Sequence, residues 1–198
     1  VGPRGVVSLH GDPASAQQLL RRGLVEEGLV SSDQLPPITF SYEKTPQVQD
    51  EATVAQEMWQ NVLGIKVHLQ PLSISELLNR EQASVNNPHG LQFWRSGWSA
   101  DYPDPQDWTT LQFGPSSPEN TVNYAQNNSA SAAKQREVQQ MLQEADRQTN
   151  HARRIQLYQY AEQSLVNDVA RIPLYQEQDN YLLKPGVNGY MIDAMGTI

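Results

Sequence analysis

Apolar residues recur along this chain in two rhythms, and the order of those rhythms sets the expected architecture. After an irregular lead-in marked by Gly2, Pro3, Gly5 and Gly11, Asp12-Pro13 opens a helix. Aspartate is a favourable N-cap, and proline at the first helical position loses nothing by lacking an N–H. Ala16, Leu19, Leu20, Gly23 and Leu24 follow with helical spacing, and Gly28 supplies the stop. Ile38, Phe40 and Tyr42 alternate with Thr39 and Ser41, which is a strand rhythm. Thr45-Pro46 opens a second helix whose inward face is Ala52, Ala55, Trp59 and Val62. Asp50 and Glu51 lie near its positive end, where the helix dipole favours them, and Gly64 ends it. Ile65, Val67 and Leu69 alternate with Lys66, His68 and Gln70 as a second strand. Ser73-Ile74-Ser75-Glu76 has the form of a capping box, with Leu72 and Leu77 as its hydrophobic staple, and starts a short third helix. Leu91 to Trp98 reads as a third strand after the polar Asn86-Asn87-Pro88-His89-Gly90 loop.

Strand, helix, strand, helix, strand at this spacing predicts parallel strands joined by right-handed crossovers, an α/β layer. Residues 99–130 lack long periodicity and are rich in Pro, Ser and Asn. A loop that long inside a compact domain is usually functional or mobile. Two helices follow, one with Val138, Met141, Leu142 and Ala145 inward, the other with Ile155, Tyr158, Ala161, Leu165 and Val169. Met141 belongs to that core stripe and is not read as a ligand. Ile172-Pro173-Leu174-Tyr175 and Tyr181-Leu182-Leu183 read as extended segments, and no internal repeat is visible.

Composition narrows the function classes. The 198 residues carry 14 basic and 22 acidic side chains, a formal charge of −8, and no basic run offers the counterion release that nucleic-acid binding needs. The chain has 23 glutamines and only 38% hydrophobic residues. No stretch approaches the roughly 18 apolar residues of a membrane span. With no cysteine, disulfide frameworks, thiol catalysis and thiolate metal sites are all excluded. The opening Val1-Gly2-Pro3-Arg4 lacks the layout of a signal peptide, and the start at Val rather than Met suggests a fragment or a processed product.

Catalytic motifs are thin. His10, His68, His89 and His151 have no partner at H-E-x-x-H spacing, and His68 sits on the outward phase of its strand. G-x-S-x-G, Walker A and G-x-G-x-x-G are absent. Asp101, Asp104 and Asp107 are spaced D-x-x-D-x-x-D, yet Pro103 and Pro105 prevent the regular helix that would stack them, so no metal site or cofactor is expected. Asn127-Asn128-Ser129 matches a glycosylation sequon that is common by chance. The informative stretch runs from Gly97 to Pro105, beyond the carboxyl end of a predicted parallel strand, where open α/β sheets bind ligands. Trp98 and Tyr102 offer flat apolar walls and Asp101 a fixed negative charge, which suits a ligand with an ammonium group. From spacing alone, an equal alternative is that Trp98 packs in the core and Asp101 caps a short helix.

Gly97-Trp98-Ser99-Ala100-Asp101-Tyr102-Pro103-Asp104-Pro105 resembles the G-W-x-A-D-Y-P-D-P signature of the family 5 extracellular solute-binding proteins, the peptide receptors of ABC importers. Other stretches are similar in the same order. They are the Asp12-Pro13 helix with Ala16 and Leu19-Leu20, Leu63-Gly64-Ile65-Lys66-Val67, Asn120 to Tyr124, Arg171-Ile172-Pro173-Leu174-Tyr175, and Lys184-Pro185-Gly186-Val187-Asn188-Gly189-Tyr190. The likeness covers roughly 12–198 and departs from the family pattern at the Asn-rich loop between Ser84 and Leu91.

The resemblance implies an α/β single lobe of the periplasmic-binding-protein type II fold, a mixed sheet with mainly parallel strands flanked by helices. It further implies a C-terminal ligand-binding lobe over 12–174 after the lead-in of 1–11. Residues 175–198 would be a hinge or return segment toward an absent N-terminal lobe, leaving Tyr175, Tyr181, Leu182 and Tyr190 exposed or packed in another way. By position, Asp101 would pair with a peptide's free amino terminus and Trp98 would line a side-chain pocket. Ser99 and Tyr102 complete the expected binding set. The implied function is a non-enzymatic, extracytoplasmic substrate-binding component that takes a peptide ligand and delivers it to a membrane permease, without inserting in the membrane itself. A regulatory or interaction protein on the same fold is the alternative. An enzyme using the aspartate run lacks a second catalytic group.

Overall fold

The computed structural model describes residues 11–175 and 180–192, and between Gly97 and Trp98 the chain passes from one compact unit to a second. The expected lead-in, apart from Gly11, and residues 176–179 and 193–198 of the expected return segment lie outside the described residues.

The first unit begins with α1, Pro13–Glu26. Asp12 caps it, accepting from the Ser15 backbone N–H at 3.0 Å and from Ser15 Oγ at 2.7 Å. Gly28 stops it with φ 72°, and the bonds Gly28 N–H to Val25 O and Leu29 N–H to Leu24 O close a Schellman motif. The expected apolar stripe is only partly covered: Leu24 is buried, whereas Leu19 is 62% exposed. Strand β1, Ile38–Glu43, precedes α2, Pro46–Leu63, which runs from a Thr45 cap to a left-handed Gly64. Strand β2, Val67–Leu72, leads to α3, Ile74–Ala83. Only half of the expected capping box forms. Ser73 accepts from the Glu76 N–H, but the Glu76 carboxylate turns to Arg80 at 2.7 Å, one turn along the helix.

The three strands form a parallel sheet in the order β2-β1-β3, with Ile38 opposite Val67 and Phe40 opposite Phe93. All three described strands are parallel. The third strand is far shorter than predicted: β3 is Phe93–Trp94 alone, prolonged by one bond from Arg95 N–H to Ser41 O at 2.9 Å. Its approach is closed by a side chain, since Gln92 Oε1 accepts the Thr39 N–H at 2.7 Å, and Ser96-Gly97 offers the ladder little to pack beyond it. Central β1 buries Phe40, Ser41 and Tyr42 in succession, as a strand covered on both faces does. The Ser41 hydroxyl donates to Gln70 Oε1 at 2.9 Å, so its burial costs little. Phe40, Tyr42, Val48, Ala52 and Val67 form the core here, with half-buried Trp59, Ile65, Leu69 and Phe93 against it. Phe40 stacks on Phe93 at 4.8 Å and meets Trp59 edge-on at 5.5 Å. The Ser84–Leu91 loop is pinned by Ser84 Oγ, which donates to Arg80 O and accepts from the Leu91 N–H. A Cβ at Gly90 would stand 2.7 Å from the Ser84 Cα, so only glycine fits that turn.

The second unit is helical. Short α4, Pro105–Trp108, and α5, Thr110–Phe113, precede two long helices, α6, Ala132–Arg147, and α7, His151–Asn167. Its core joins Phe113, Tyr124 and Ala125 to Val138, Leu142 and Ala145 of α6 and Leu157, Tyr158, Ala161 and Leu165 of α7. Met141 packs against this core, as its stripe predicted. Val169 does not: α7 ends before it, and Val169 is 61% exposed with φ 55°. Residues 172–175 and 180–183 carry no regular structure, and Tyr175, Tyr181 and Leu182 are exposed while Tyr190 is half-buried beside Tyr181, ring centroids 5.9 Å apart.

Candidate functional site

The motif loop Trp98–Asp104 opens the second unit, and its shape is set by α4. Asp104 caps α4 by accepting the Gln106 N–H at 2.9 Å, and Pro105 takes the first helical position. That turn carries Asp107 inward, where it is fully buried. One Asp107 oxygen accepts the Trp98 indole N–H at 2.9 Å, and the other accepts the Asp101 backbone N–H at 3.3 Å. The loop between 98 and 101 is therefore stitched at both ends to a single carboxylate.

The three aspartates of the run take three separate roles. Asp107 holds the loop from inside. Asp104 forms a two-bond ion pair with Arg154 of α7, at 2.7 and 2.8 Å. The hydrogen bonds from Arg154, strengthened by the Gln106 N–H and the guanidinium charge, hold the Asp104 carboxyl below the usual range despite its partial burial. Asp101 alone is exposed, and among the described residues its carboxylate takes no hydrogen bond or ion pair. Among the described residues no cluster of three or more His, Asp or Glu side chains is arranged for a metal.

Of the four expected binding residues, Trp98 and Asp101 are brought together through Asp107. Tyr102 is half-buried, and its hydroxyl reaches Gln106 Oε1 at 3.3 Å. Burial, together with the negative charges of Asp107, Asp104, Asp146 and Asp101, pushes the Tyr102 hydroxyl above its ordinary pKa, so it stays neutral at physiological pH. Ser99 is exposed. The short-helix cap that Asp101 offered as an alternative belongs instead to Asp104.

Sequence reasoning missed two supports. Asp107 entered only as part of an aspartate run weighed as a metal or enzyme site and set aside, although a carboxylate two residues after an N1 proline stands in the first helical turn and faces back over the preceding loop. Arg154 lies 50 residues from its partner and gives no local signal. Arg154 also lies over the Tyr158 ring at 4.8 Å and donates to Tyr158 Oη, which donates to Asp146 Oδ1 at 2.6 Å. Burial first, then the Asp146 bond, raises the Tyr158 pKa.

The small parallel sheet flanked by helices is a periplasmic-binding-protein type of fold, shared with solved structures of that kind. The chain belongs to the bacterial extracellular solute-binding proteins, family 5; the model described as the family 5 middle region matches residues 3–120. This is a family of binding proteins. Among curated relatives, the oligopeptide-binding protein OppA of Bacillus subtilis is 23% identical over 187 residues, 94% of this chain and 32% of that protein. The periplasmic oligopeptide-binding protein OppA of Salmonella typhimurium is 30% identical over 156 residues, 78% of this chain and 26% of that one. Among solved structures, Haemophilus influenzae OppA in complex with the peptide RPPGFSPFR aligns with a TM-score of 0.63 at 23% identity, over 79% of this chain and 27% of that one. The unliganded open form of the murein tripeptide binding protein MppA aligns with a TM-score of 0.63 at 22% identity, over 84% of this chain and 28% of that one. The chain spans about a third of the length of the curated relatives it matches. No helix among the described residues is long and apolar enough to cross a membrane.

Proposed function

We propose that this chain supplies one wall of the ligand cleft of an extracytoplasmic peptide-binding protein that serves an ABC importer, with Asp101 pairing with the ligand's free amino terminus. The C-terminal lobe of such a receptor, over 12–174, is the part it represents. The observation that carries the reading is the contrast among three neighbouring carboxylates. Asp104 and Asp107 are consumed by Arg154 and by the loop itself, while Asp101 stands exposed on a backbone that is fixed in place. An exposed carboxylate that is unpaired among the described residues, on a backbone tied to the same buried acid as the Trp98 indole, is prepared to take an ammonium group: charge-assisted bonds are roughly twice as strong as neutral ones once water is excluded. Trp98 and Tyr102 then flank the first ligand side chain, and Ser99 offers a hydroxyl at the rim. The names of the relatives, which include oligopeptide-, dipeptide- and di/tripeptide-binding proteins, support the peptide class. Delivery to a membrane permease follows from the same reading.

The test is titration calorimetry on the natural full-length protein and its Asp101→Asn variant, using peptides with free amino termini. Removing one member of a charge pair that becomes buried on binding weakens affinity by about 2–5 kcal/mol. Equal affinities for the two proteins overturn the assignment of Asp101.

A further inference from the structure

We infer that Asp107 is a positioning residue for ligand capture: its buried carboxylate sets the direction in which Asp101 and Trp98 face the ligand. The inference rests on the reading of Asp101 as the ammonium anchor, and goes beyond it by naming the group that aims that anchor.

The geometry is specific. Asp107 has no exposure, and each of its two oxygens takes one N–H, the Trp98 indole at 2.9 Å and the Asp101 main chain at 3.3 Å. One group thus ties the aromatic wall and the anchor carboxylate to a common point. Two residues separate Trp98 from Asp101, and Ser99, Ala100 and Asp101 form no helix or strand, so no regular backbone ladder fixes this stretch. A side-chain clamp takes that role. Asp107 is supported in turn. Gln112 Nε2 donates to the Asp107 carbonyl at 3.3 Å, and Arg171 Nη2 donates to Gln112 Oε1 at 2.5 Å. Arg171 lies over the Phe113 ring at 4.6 Å, so its guanidinium is held against the core of the second unit. Support therefore runs from Arg171 through Gln112 to Asp107 and ends at the two residues that face the ligand.

Asparagine at 107 keeps the shape and changes the chemistry. Its amide retains one acceptor and presents an NH2 to the other N–H, so one of the two ties is lost and two donors oppose each other. The loop then loses its common point while the fold around it keeps its volume.

The experiment compares the full-length wild-type protein, Asp107→Asn and Asp101→Asn. Each is titrated with a mixed tripeptide library carrying free amino termini and with the same library N-acetylated. The readout is the ratio of the two affinities, which a general loss of stability does not change because it lowers both together. We expect the wild-type ratio to be high, Asp101→Asn to abolish it, and Asp107→Asn to reduce it by about tenfold or more, the cost of one lost bond to a charged group. A wild-type ratio retained in Asp107→Asn overturns the inference and leaves the Asp101 reading standing. A wild-type protein that does not discriminate overturns the Asp101 reading and the inference with it. If Asp107→Asn does not fold, hydrogen exchange on the wild-type protein decides. Slowed exchange at both the Trp98 indole and the Asp101 amide sustains the clamp, and exchange at the rate of open chain refutes it.

Discussion

Asp104 shows how one side chain carries two separable duties. It caps α4 through the Gln106 N–H and it pairs with Arg154, and asparagine keeps the first while losing the second, because asparagine caps helices as well as aspartate. Asp104→Asn therefore isolates the ion pair. Side-chain exposures of 19% for Arg154 and 32% for Asp104 place the pair between a solvated and a buried one, so we expect a loss of about 1 kcal/mol at neutral pH. Its pH dependence has a fixed sign. The folded state holds the Asp104 carboxyl below its unfolded value, chiefly through the Arg154 bonds. The stabilisation is fully present above the ordinary carboxyl value of about 3.9, and it fades as pH falls through the lower folded value. Urea unfolding of wild type and variant should differ at pH 7 and converge in strong acid. A difference that persists in strong acid would assign the effect to packing instead.

At the scale of elements, end signals were the most legible feature of the sequence. Asp12-Pro13, Thr45-Pro46, Gly28 and Gly64 all sit where local backbone chemistry demands them, because caps depend on neighbours within a few residues. What depended on distant partners was not legible. The third strand shrank to two residues because its length is set by pairing with β1. The long stretch after α5 looked structureless, yet it is held by Asn120, fully buried, which exchanges bonds with both the N–H and the carbonyl of Tyr124. The same dependence moved the end of α7. The Val169 N–H bonds to Val166 O and the Ala170 N–H to Leu165 O, a Schellman closure with a β-branched residue at the left-handed position, φ 55°. That conformation costs a β-branched residue about 1–2 kcal/mol, and glycine gives back roughly 0.5–1 of it through the unfolded chain. Val169 is 61% exposed, so little packing is lost on its removal. Val169→Gly is expected to raise stability by about 0.5–1 kcal/mol. An unchanged or lower urea midpoint would show that Val169 meets no strain there.

At the scale of the whole molecule, the described residues form two hydrophobic cores with no residue in common, one built on the sheet and one on α6 and α7. Both were partly visible in advance, since Phe40, Val67, Leu142, Ala161 and Leu165 fell on predicted inward faces. The boundary between the units was not, because Leu91 to Trp98 reads as one uninterrupted strand while the structure passes from one unit to the other after Gly97. The candidate site divided in the same way: the motif named Trp98 and Asp101, and only the fold shows which acid holds them and which stands open. Two cores raise the question of whether stability is shared. Leu142 of α6 has no exposure and packs in the core that α6 shares with α7, so Leu142→Ala removes buried methyl groups and leaves a cavity, a loss of about 2–5 kcal/mol for that core. Amide exchange should report where the loss falls. If each core stabilises its own unit, protection collapses in α6 and α7 while the amides of β1 and β2 stay slow, because opening occurs in cooperative blocks. Equal acceleration in the sheet and in the two helices would instead make the chain one folding unit, and would mean that damage to the helical core reaches the strands as well as the loop that carries Asp101.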